Sequence, residues 1–289
     1  MLNLKTILFL LLSLVTIWFL AAWYEESRKK AWTVYHAVVS YVMCFFDTLG
    51  IGNFATTTSA FKFRSSVADE KIPGTLNVGY AIPTVAQAFI YITIVEVEIL
   101  TLVLMIIAAV AGAWLGAGVV SHWPRRKIQM GMGCALLAAA VLMGLRAMGL
   151  APVGEGTYAL AGLKLWLGLG GNFALGALMT LGIGLYAPCL ILVGLLGMVE
   201  TTAFPIMMGS CAFLMPIGGI RFIRAGSYDA TAAVVMTLAG LPAVLIAAYI
   251  VRSMSLNYVR WMVVGVVVYT ATMMLRSALT ERAAAEQNA

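Results

Sequence analysis

The 289-residue chain is 62% hydrophobic and only 10% charged, whereas a soluble domain carries about 25% charged residues. So few charged side chains cannot cover a water-facing surface, which excludes a soluble globular protein. The net charge of +6 fits the Lys and Arg excess of cytoplasmic loops in membrane proteins and does not indicate nucleic-acid binding. The class that remains is an integral membrane protein.

The first apolar segment, Thr6–Trp23, has 18 uncharged residues and is followed by the charged stretch Glu25–Lys30. A secretory signal peptide is one alternative. The segment is longer than the usual apolar part of such a peptide, and no clear A-x-A cleavage site precedes the charged stretch. We therefore expect a retained transmembrane helix, with residues 1–30 forming this helix and a basic loop.

The pentapeptide Thr-Leu-Gly-Ile-Gly occurs twice, at Thr48–Gly52 and again 132 residues later at Thr180–Gly184. Two further identities keep the same offset: Ala55 with Ala187, and Pro73 with Pro205. Matches that share one offset indicate a duplication. We therefore expect a single membrane domain with two homologous halves, at residues 31–150 and 151–289.

The stretch Leu165–Val199 runs for 35 residues without a charge, which is too long for one membrane span and too short for two spans with a turn. A broken pair of short helices that enters and leaves on one side fits better. We expect the break at Gly182–Gly184, and the corresponding break of the first half at Gly50–Gly52. The predicted fold is all-α, with each half holding one re-entrant hairpin and three transmembrane helices. Because three is odd, the second half is inverted relative to the first.

The charged loops agree with this arrangement, because basic loops fall on one side and acidic loops on the other. The basic side, predicted to be cytoplasmic, has Ser27–Lys30, Lys62–Lys71, Pro124–Lys127, Arg221–Arg224 and Arg276–Arg282. The acidic side has Val95–Glu98, Val153–Gly156 and Val199–Thr202, with Arg252 and Arg260 as exceptions. The predicted location is a cell inner membrane, crossed several times.

The two breaks predict an anion site. Irregular backbone survives at membrane depth only where protein or a polar cavity surrounds it. After each break a new helix begins, and its unpaired N–H groups and positive dipole end attract anions. Two inverted copies would direct two such helix starts at one point near the bilayer midplane, as in inverted-repeat transporters. For any single residue the alternative is that small side chains here only permit close helix packing.

The candidate substrate-binding residues are the glycines of the breaks, the residues that follow them, and small or polar residues of the next helices. They are Gly50, Gly52, Asn53, Thr56, Thr57, Asn77, Tyr80, Gly182, Gly184, Tyr186, Cys189, Gly209 and Ser210. Asp47 stands at apparent membrane depth and is the candidate for proton coupling. The alternative for Asp47 is a structural role, in which it faces polar neighbours or pairs with a cation such as Lys62. Met179 occupies the same offset in the second copy, so any role of the acid is asymmetric.

The segments GIGLYAPCLILVGLLGM, FPIMMGSCAF and GIGNFATTT resemble the sulfite exporter TauE/SafE family of membrane transporters. The resemblance spans nearly everything after Ala31. It implies transport of a small sulfur-containing anion such as sulfite, thiosulfate or an organosulfonate. The family usually has a run of three glycines at the turn, and Asn53 and Leu185 stand in its third position here.

The expected function is a secondary transporter for a small oxyanion, since no nucleotide-binding motif is visible. An anion channel is the main alternative, because channels also use half-helices. An intramembrane enzyme is a weaker one, because Asp47 has no catalytic partner at depth. We expect no enzymatic activity, no cofactor and no metal site, and we expect all four cysteines to be buried apolar residues. The expected partners are the anion and the lipid bilayer, without nucleic acid; the oligomeric state is left open, a homodimer being one alternative.

Overall fold

The computed structural model describes residues 3–27, 34–120, 156–179, 184–253 and 256–287, together with parts of 130–148. Regular structure in these residues is helical, apart from an isolated β-bridge between Thr157 and Met198. The apolar runs predict this all-α architecture, because a chain surrounded by lipid can pair its N–H and C=O groups within helices.

The helices follow the apolar runs of the sequence. Their bounds are α1 (Leu4–Ser27), α2 (Val34–Thr48), α3 (Phe54–Arg64), α4 (Ile72–Gly79), α5 (Ala81–Ile94), α6 (Ile99–Val120), α7 (Gly162–Met179), α8 (Tyr186–Leu195), α9 (Ala203–Arg224), α10 (Ala230–Ser253) and α11 (Leu256–Gln287). Short 3₁₀ turns, Asp69–Lys71 and Glu200–Thr202, precede α4 and α9. Helical residues also occur within 130–148, between α6 and α7.

Four stretches of the described chain are long and apolar enough to cross a membrane: Leu4–Tyr24, Asp69–Ile94, Glu200–Arg224 and Ala230–Ile250. The stretch that contains α9 has 83% of its most apolar part buried inside the protein, whereas the one in α1 has 22%. Helix α9 is therefore central to the bundle and α1 lies at its rim. This agrees with the membrane-protein class that the composition predicts.

Helices α2 and α3 form a pair joined at the first predicted break. Between them Gly50 and Gly52 have φ angles of +98° and +80°, which residues other than glycine rarely adopt. Tyr35, in the first turn of α2, donates a 2.6 Å hydrogen bond from its hydroxyl to the Ala60 carbonyl, and the Arg64 guanidinium lies 4.6 Å from its ring centre. The start of α2 and the end of α3 therefore lie side by side.

Helices α7 and α8 lie on either side of the second predicted break. Residues 180–183, which include the candidate Gly182, lie outside the described residues, and α8 begins at Tyr186. A Cβ atom at Gly197, just after α8, would lie 3.4 Å from the Nζ of Lys164 in the first turn of α7. The free ends of this pair are therefore adjacent as well.

Backbone hydrogen bonds join the acidic loops at one end of the bundle. The N–H of Glu98 donates to the carbonyl of Tyr158 at 2.8 Å. The N–H of Thr157 donates to Gly197 at 3.2 Å, and its carbonyl accepts from Val199 at 3.0 Å. The loop after α5, the segment before α7 and the loop after α8 thus meet, and the free ends of the α7–α8 pair lie with them.

The opposite end of the bundle collects basic segments. The backbone N–H of Asp229 donates to Thr75 Oγ1 at 2.8 Å, which places the α9–α10 turn beside the first turn of α4. The loop before α4 contains an exposed ion pair of 3.5 Å between Lys62 and Asp69. Helices α4 and α5 lie between this end and the acidic loops, so these basic and acidic segments are at different ends of the described bundle.

Helices α6 and α7 pack closely through glycines. A Cβ atom at Gly112 would collide with the carbonyl oxygen of Phe173, and one at Gly176 with that of Ala109. Small residues allow helix backbones to approach in this way, which gives van der Waals contact where lipid supplies no hydrophobic driving force. The α7 half of the second pair is thereby fixed against the first half of the chain.

We expect Gly176→Leu to destabilise the protein, because the new side chain would displace the Ala109 carbonyl. The free energy of unfolding should fall by about 1–3 kcal/mol or more, the usual cost of overpacking. Gly170→Leu is the matched control, because a Cβ at Gly170, on the same helix, has nothing within 4 Å. Thermal unfolding of both variants in one detergent is the measurement, and equal midpoints would contradict the close packing.

Candidate functional site

A small cavity lies where the two helix pairs meet. Gly52, Asn53 and Thr56 line it from the first break, and Gly184 and Tyr186 line it from the second. A Cβ atom at Gly52 would lie 3.9 Å from the Cβ of Tyr186, so the two segments are in direct contact. The volume of the cavity is about 60 Å³. A water molecule needs roughly 10–15 Å³ of such space, so the cavity has room for about four water-sized groups.

Two helix N-termini face this cavity. Helix α3 begins at Phe54 and α8 at Tyr186, and neither preceding residue, Asn53 or Leu185, caps its helix with its own side chain. The Asp47 carboxylate accepts a hydrogen bond from the backbone N–H of Asn53. The first residues of both helices, Phe54–Thr56 and Tyr186–Ala187, line the cavity. The first N–H groups and the positive dipole ends of two helices therefore lie at one small space.

Asp47 lines the same cavity and is 2% exposed. Gln87, on α5, donates from Nε2 to Asp47 Oδ2 and to Thr48 Oγ1, both at 2.9 Å. The hydroxyl of Tyr186 donates to Gln87 Oε1 at 2.9 Å. The Gln87 side chain thus links Asp47, which precedes the first break, to Tyr186, which begins α8 after the second break.

Neutral groups hold this acid in place. The hydroxyl of Tyr91 donates to the Thr48 carbonyl at 3.0 Å, which fixes the last turn of α2 next to Asp47. The alternative of a pair between Asp47 and Lys62 does not describe the structure, because Lys62 is engaged with Asp69 on the surface. Among the described residues that is the one ion pair, so Asp47 has no cationic partner there.

Four predicted residues, Gly50, Thr57, Tyr80 and Cys189, are buried beside the cavity. A Cβ atom at Gly50 would lie 3.5 Å from Leu190 Cδ1, so this glycine packs on α8. Thr57 Oγ1 and the Tyr80 hydroxyl share a buried 2.8 Å hydrogen bond. Cys189 is fully buried within α8. Of the residues that line the cavity, Thr56 uses its hydroxyl hydrogen on the Asn53 carbonyl at 3.1 Å, which leaves its oxygen as an acceptor.

The predicted residues of the following helices lie elsewhere. A Cβ atom at Gly209 would be 2.7 Å from Ile106 Cδ1, so Gly209 serves the α6–α9 contact. Ser210 accepts a 3.2 Å hydrogen bond from Asn172 Nδ2. Asn77 donates to the Pro73 carbonyl at 2.9 Å and lines a second cavity. The structure therefore does not bring Gly209, Ser210 or Asn77 to the cavity between the breaks.

Other residues of the cavity are absent from the sequence-based prediction. They are Thr84, Met179, Leu185, Cys211, Met215, Tyr269, Thr270 and Met273, together with Gln87 behind Asp47. An amide in the middle of the uncharged run Ile72–Val95 is a signal that could have found Gln87. The three residues from α11 carry no such signal, because that stretch reads as a uniform apolar helix.

The described residues contain no group of three or more His, Cys, Asp or Glu side chains that could hold a metal ion. Cys44, Cys189 and Cys211 are buried, as expected, whereas Cys134 is exposed. The expectation of four buried cysteines is therefore wrong for Cys134. The thiol of Cys211 contacts the sulfur of Met179 at 3.5 Å, which is a packing contact between soft apolar groups.

The first part of the chain matches a known family. The family model described as Sulfite exporter TauE/SafE covers residues 2–143. Residues 2–143 are thus similar to the TauE/SafE family. The resemblance read from the sequence is confirmed here, and the TauE/SafE match contains Asp47, Gly52, Thr56 and Gln87. The second-half residues of the cavity lie beyond it. No curated protein and no solved structure matches the chain.

We expect Gln87→Leu to destabilise the protein, because it leaves Asp47 and Tyr186 buried without this partner. The free energy of unfolding should fall by about 1–3 kcal/mol, and Tyr186→Phe alone should cost about 0.5–1.5 kcal/mol. Thr93→Val is the control, because this exposed hydroxyl on α5 bonds only to its own helix, at the Phe89 carbonyl.

A double-mutant cycle between Gln87→Leu and Tyr186→Phe measures this coupling, since groups of one hydrogen-bond network are not additive. Thermal unfolding in detergent gives the four free energies. Strict additivity of the two changes, or an effect of Gln87→Leu no larger than that of Thr93→Val, would contradict the bridge.

Proposed function

We propose that the protein is a secondary transporter for a small sulfur-containing oxyanion of the sulfite and thiosulfate class, bound in the cavity between the breaks. The observation that carries the proposal is that the starts of two helices, at Phe54 and Tyr186, line one small cavity. The match of residues 2–143 to a family described as a sulfite exporter supports the choice of anion.

The electrostatics of the cavity suit an anion that must bind and leave. Its lining contains no Lys or Arg among the described residues, so fixed backbone dipoles supply the positive potential. One helix start is worth about 0.3–1 kcal/mol at a surface and up to about 2 kcal/mol in buried geometry, and two act together here. Dipoles of this strength replace part of the hydration of an anion without trapping it as a buried cation would.

The size of the cavity narrows the substrate. Sulfite has four non-hydrogen atoms and thiosulfate has five, which is close to the room for about four water-sized groups that 60 Å³ provides. An organosulfonate would place its sulfonate group there and would need further space for the organic part. Inorganic sulfur oxyanions are therefore the first substrates to test.

The proposal includes an inverted repeat. The shared offset of the TLGIG copies supports it. The helix ends away from the two breaks support it too, because those of the first pair lie at the basic end of the bundle and those of the second pair lie at the acidic end. Tyr35 contacts Ala60 at the basic end, whereas Gly197 bonds to Thr157 among the acidic loops. In such a protein the two halves can rock around a fixed site, which is how alternating access works in inverted-repeat transporters. We place the protein in the inner membrane, with the basic end in the cytoplasm.

We expect Gly184→Leu to abolish sulfite binding while the protein remains monodisperse in detergent. A Cβ at Gly184 has nothing within 4 Å and Gly184 lines the cavity, so a leucine would project into the site without disturbing the packing. Gly194→Leu is the matched control, because a Cβ at Gly194, in α8 and outside the lining of the cavity, also has nothing within 4 Å.

The measurement is the uptake of radiolabelled sulfite into proteoliposomes, together with sulfite binding in detergent. Uptake that saturates with sulfite concentration distinguishes a carrier from an anion channel. Normal binding by the Gly184→Leu variant would contradict the location of the site, and wild-type protein that neither binds nor moves a sulfur oxyanion would contradict the function.

We also propose that Asp47 couples proton movement to anion movement. Asp47→Asn keeps the shape and the hydrogen bond from Gln87 and removes the charge, so we expect normal folding and uptake that no longer varies from about pH 5 to about pH 8. Asp69→Asn, at the exposed ion pair with Lys62, is the control. An Asp47→Asn variant with the pH profile of the wild type would remove Asp47 from the coupling.

A further inference from the structure

A second and larger cavity of about 400 Å³ lies between α4, α6, α7 and α9. Its polar lining comes from Asn77, Arg221 and Ser227, and apolar side chains form the remainder. Ser227 belongs to the α9–α10 turn, next to the Asp229 N–H that bonds to Thr75. The cavity therefore lies towards the basic end of the bundle, where the loop before α4 also lies.

Met179 connects this cavity with the central one. It is the last residue of α7, lines both cavities and is 7% exposed. A methionine side chain is unbranched, has three rotatable bonds and adapts its shape easily. The two cavities are thus neighbours that share one flexible thioether.

Arg221 gives the second cavity a positive charge. It is an exposed residue in the last turn of α9, and its guanidinium lies 5.4 Å from the ring centre of Trp114 on α6. The one ion pair of the described residues is Lys62–Asp69, so no carboxylate of that part of the chain neutralises Arg221. A cation held over an aromatic ring in a low-dielectric cleft concentrates anions nearby.

We propose that the second cavity is the vestibule through which the anion passes between the basic end of the protein and the central cavity. Arg221 attracts the anion into the vestibule, and the Met179 side chain is the partition that moves aside to admit it. This inference rests on the proposed transport function. It adds an entry side and two residues that neither the repeat nor the family match assigns.

The charge of the vestibule can be tested without any transport, by quenching of Trp114 fluorescence. The Trp114 contribution is obtained by difference from Trp114→Phe, with iodide as the anionic quencher and acrylamide as the neutral one. We expect Arg221→Gln to lower iodide quenching of Trp114 by about twofold or more at low salt and to leave acrylamide quenching unchanged. Arg224→Gln, three residues further on and outside the lining of the cavity, should change neither. Equal iodide quenching of Trp114 in the wild type, Arg221→Gln and Arg224→Gln would overturn the proposal.

Sulfite uptake then tests whether the vestibule is on the route. We expect Arg221→Gln to reduce uptake at low sulfite concentration by about tenfold, and the loss to shrink as salt is added, because salt screens the attraction. Arg224→Gln should retain wild-type uptake. If Arg221→Gln lowers iodide quenching and yet transports like Arg224→Gln, the vestibule is off the route and the proposal is wrong, while the transport function stands. If the wild-type protein moves no sulfite, the transport function fails and the route fails with it.

The partition is tested with Met179→Ala. Removal of the thioether should join the two cavities and raise the initial rate of sulfite uptake about twofold or more, because one barrier to passage is gone. Met208→Ala is the control, since Met208 is fully buried, lines neither cavity and loses the same volume. Equal changes in the two variants would show that Met179 acts through packing alone, which would overturn its role as the partition.

Discussion

The arrangement of the protein depends on peptide groups that leave the helical hydrogen-bonding pattern in an apolar bundle. Such groups must find partners in protein or face a polar cavity. At the first break the N–H groups of Gly50 and Ile51 donate to the Asp47 and Phe46 carbonyls at 2.8 and 3.2 Å, which closes the end of α2. Asn53, which precedes α3, does not cap this helix with its own side chain. The first turn of α3 therefore lies at the cavity, where its N–H groups can meet a polar group.

The position of Asp47 follows from the same constraint. A carboxylate next to two positive helix ends offsets part of their field while the cavity holds no anion. An anion in a cavity of about 60 Å³ would stand close to an ionised Asp47, and like charges at short range repel strongly in a low dielectric. In the proposed transporter, this repulsion would link anion entry to proton uptake by Asp47. A second acid at the position of Met179 would cancel the field that attracts the anion, which accounts for the single charged copy.

Much of this arrangement is readable from the sequence, because the features that carry it are local. Repeated glycines at one offset predict both breaks, and Gly50 and Gly52 have the positive φ angles that only glycine adopts easily. Gln87 was missed because a single amide in an apolar run has no periodic signature, and its role depends on the meeting of α5 with both breaks. The α11 residues of the cavity were missed for the same reason. Gly209 and Ser210 follow the repeat but serve helix contacts, because one small residue suits packing as well as binding.

If the proposed route is correct, the contrast between the two cavities means that a strongly hydrated anion would be handled in stages. The outer cavity, of about 400 Å³, has room for an anion with part of its water shell and offers a full cation at Arg221. The inner cavity is roughly one-seventh as large and offers dipoles in place of a cation. Passage requires each site to bind strongly enough to replace lost hydration and weakly enough to release the anion. A buried cation at the inner site would hold the anion too firmly. At the entrance, water screens the attraction between the anion and a cation. The placement of charge outside and dipoles inside therefore favours movement over storage.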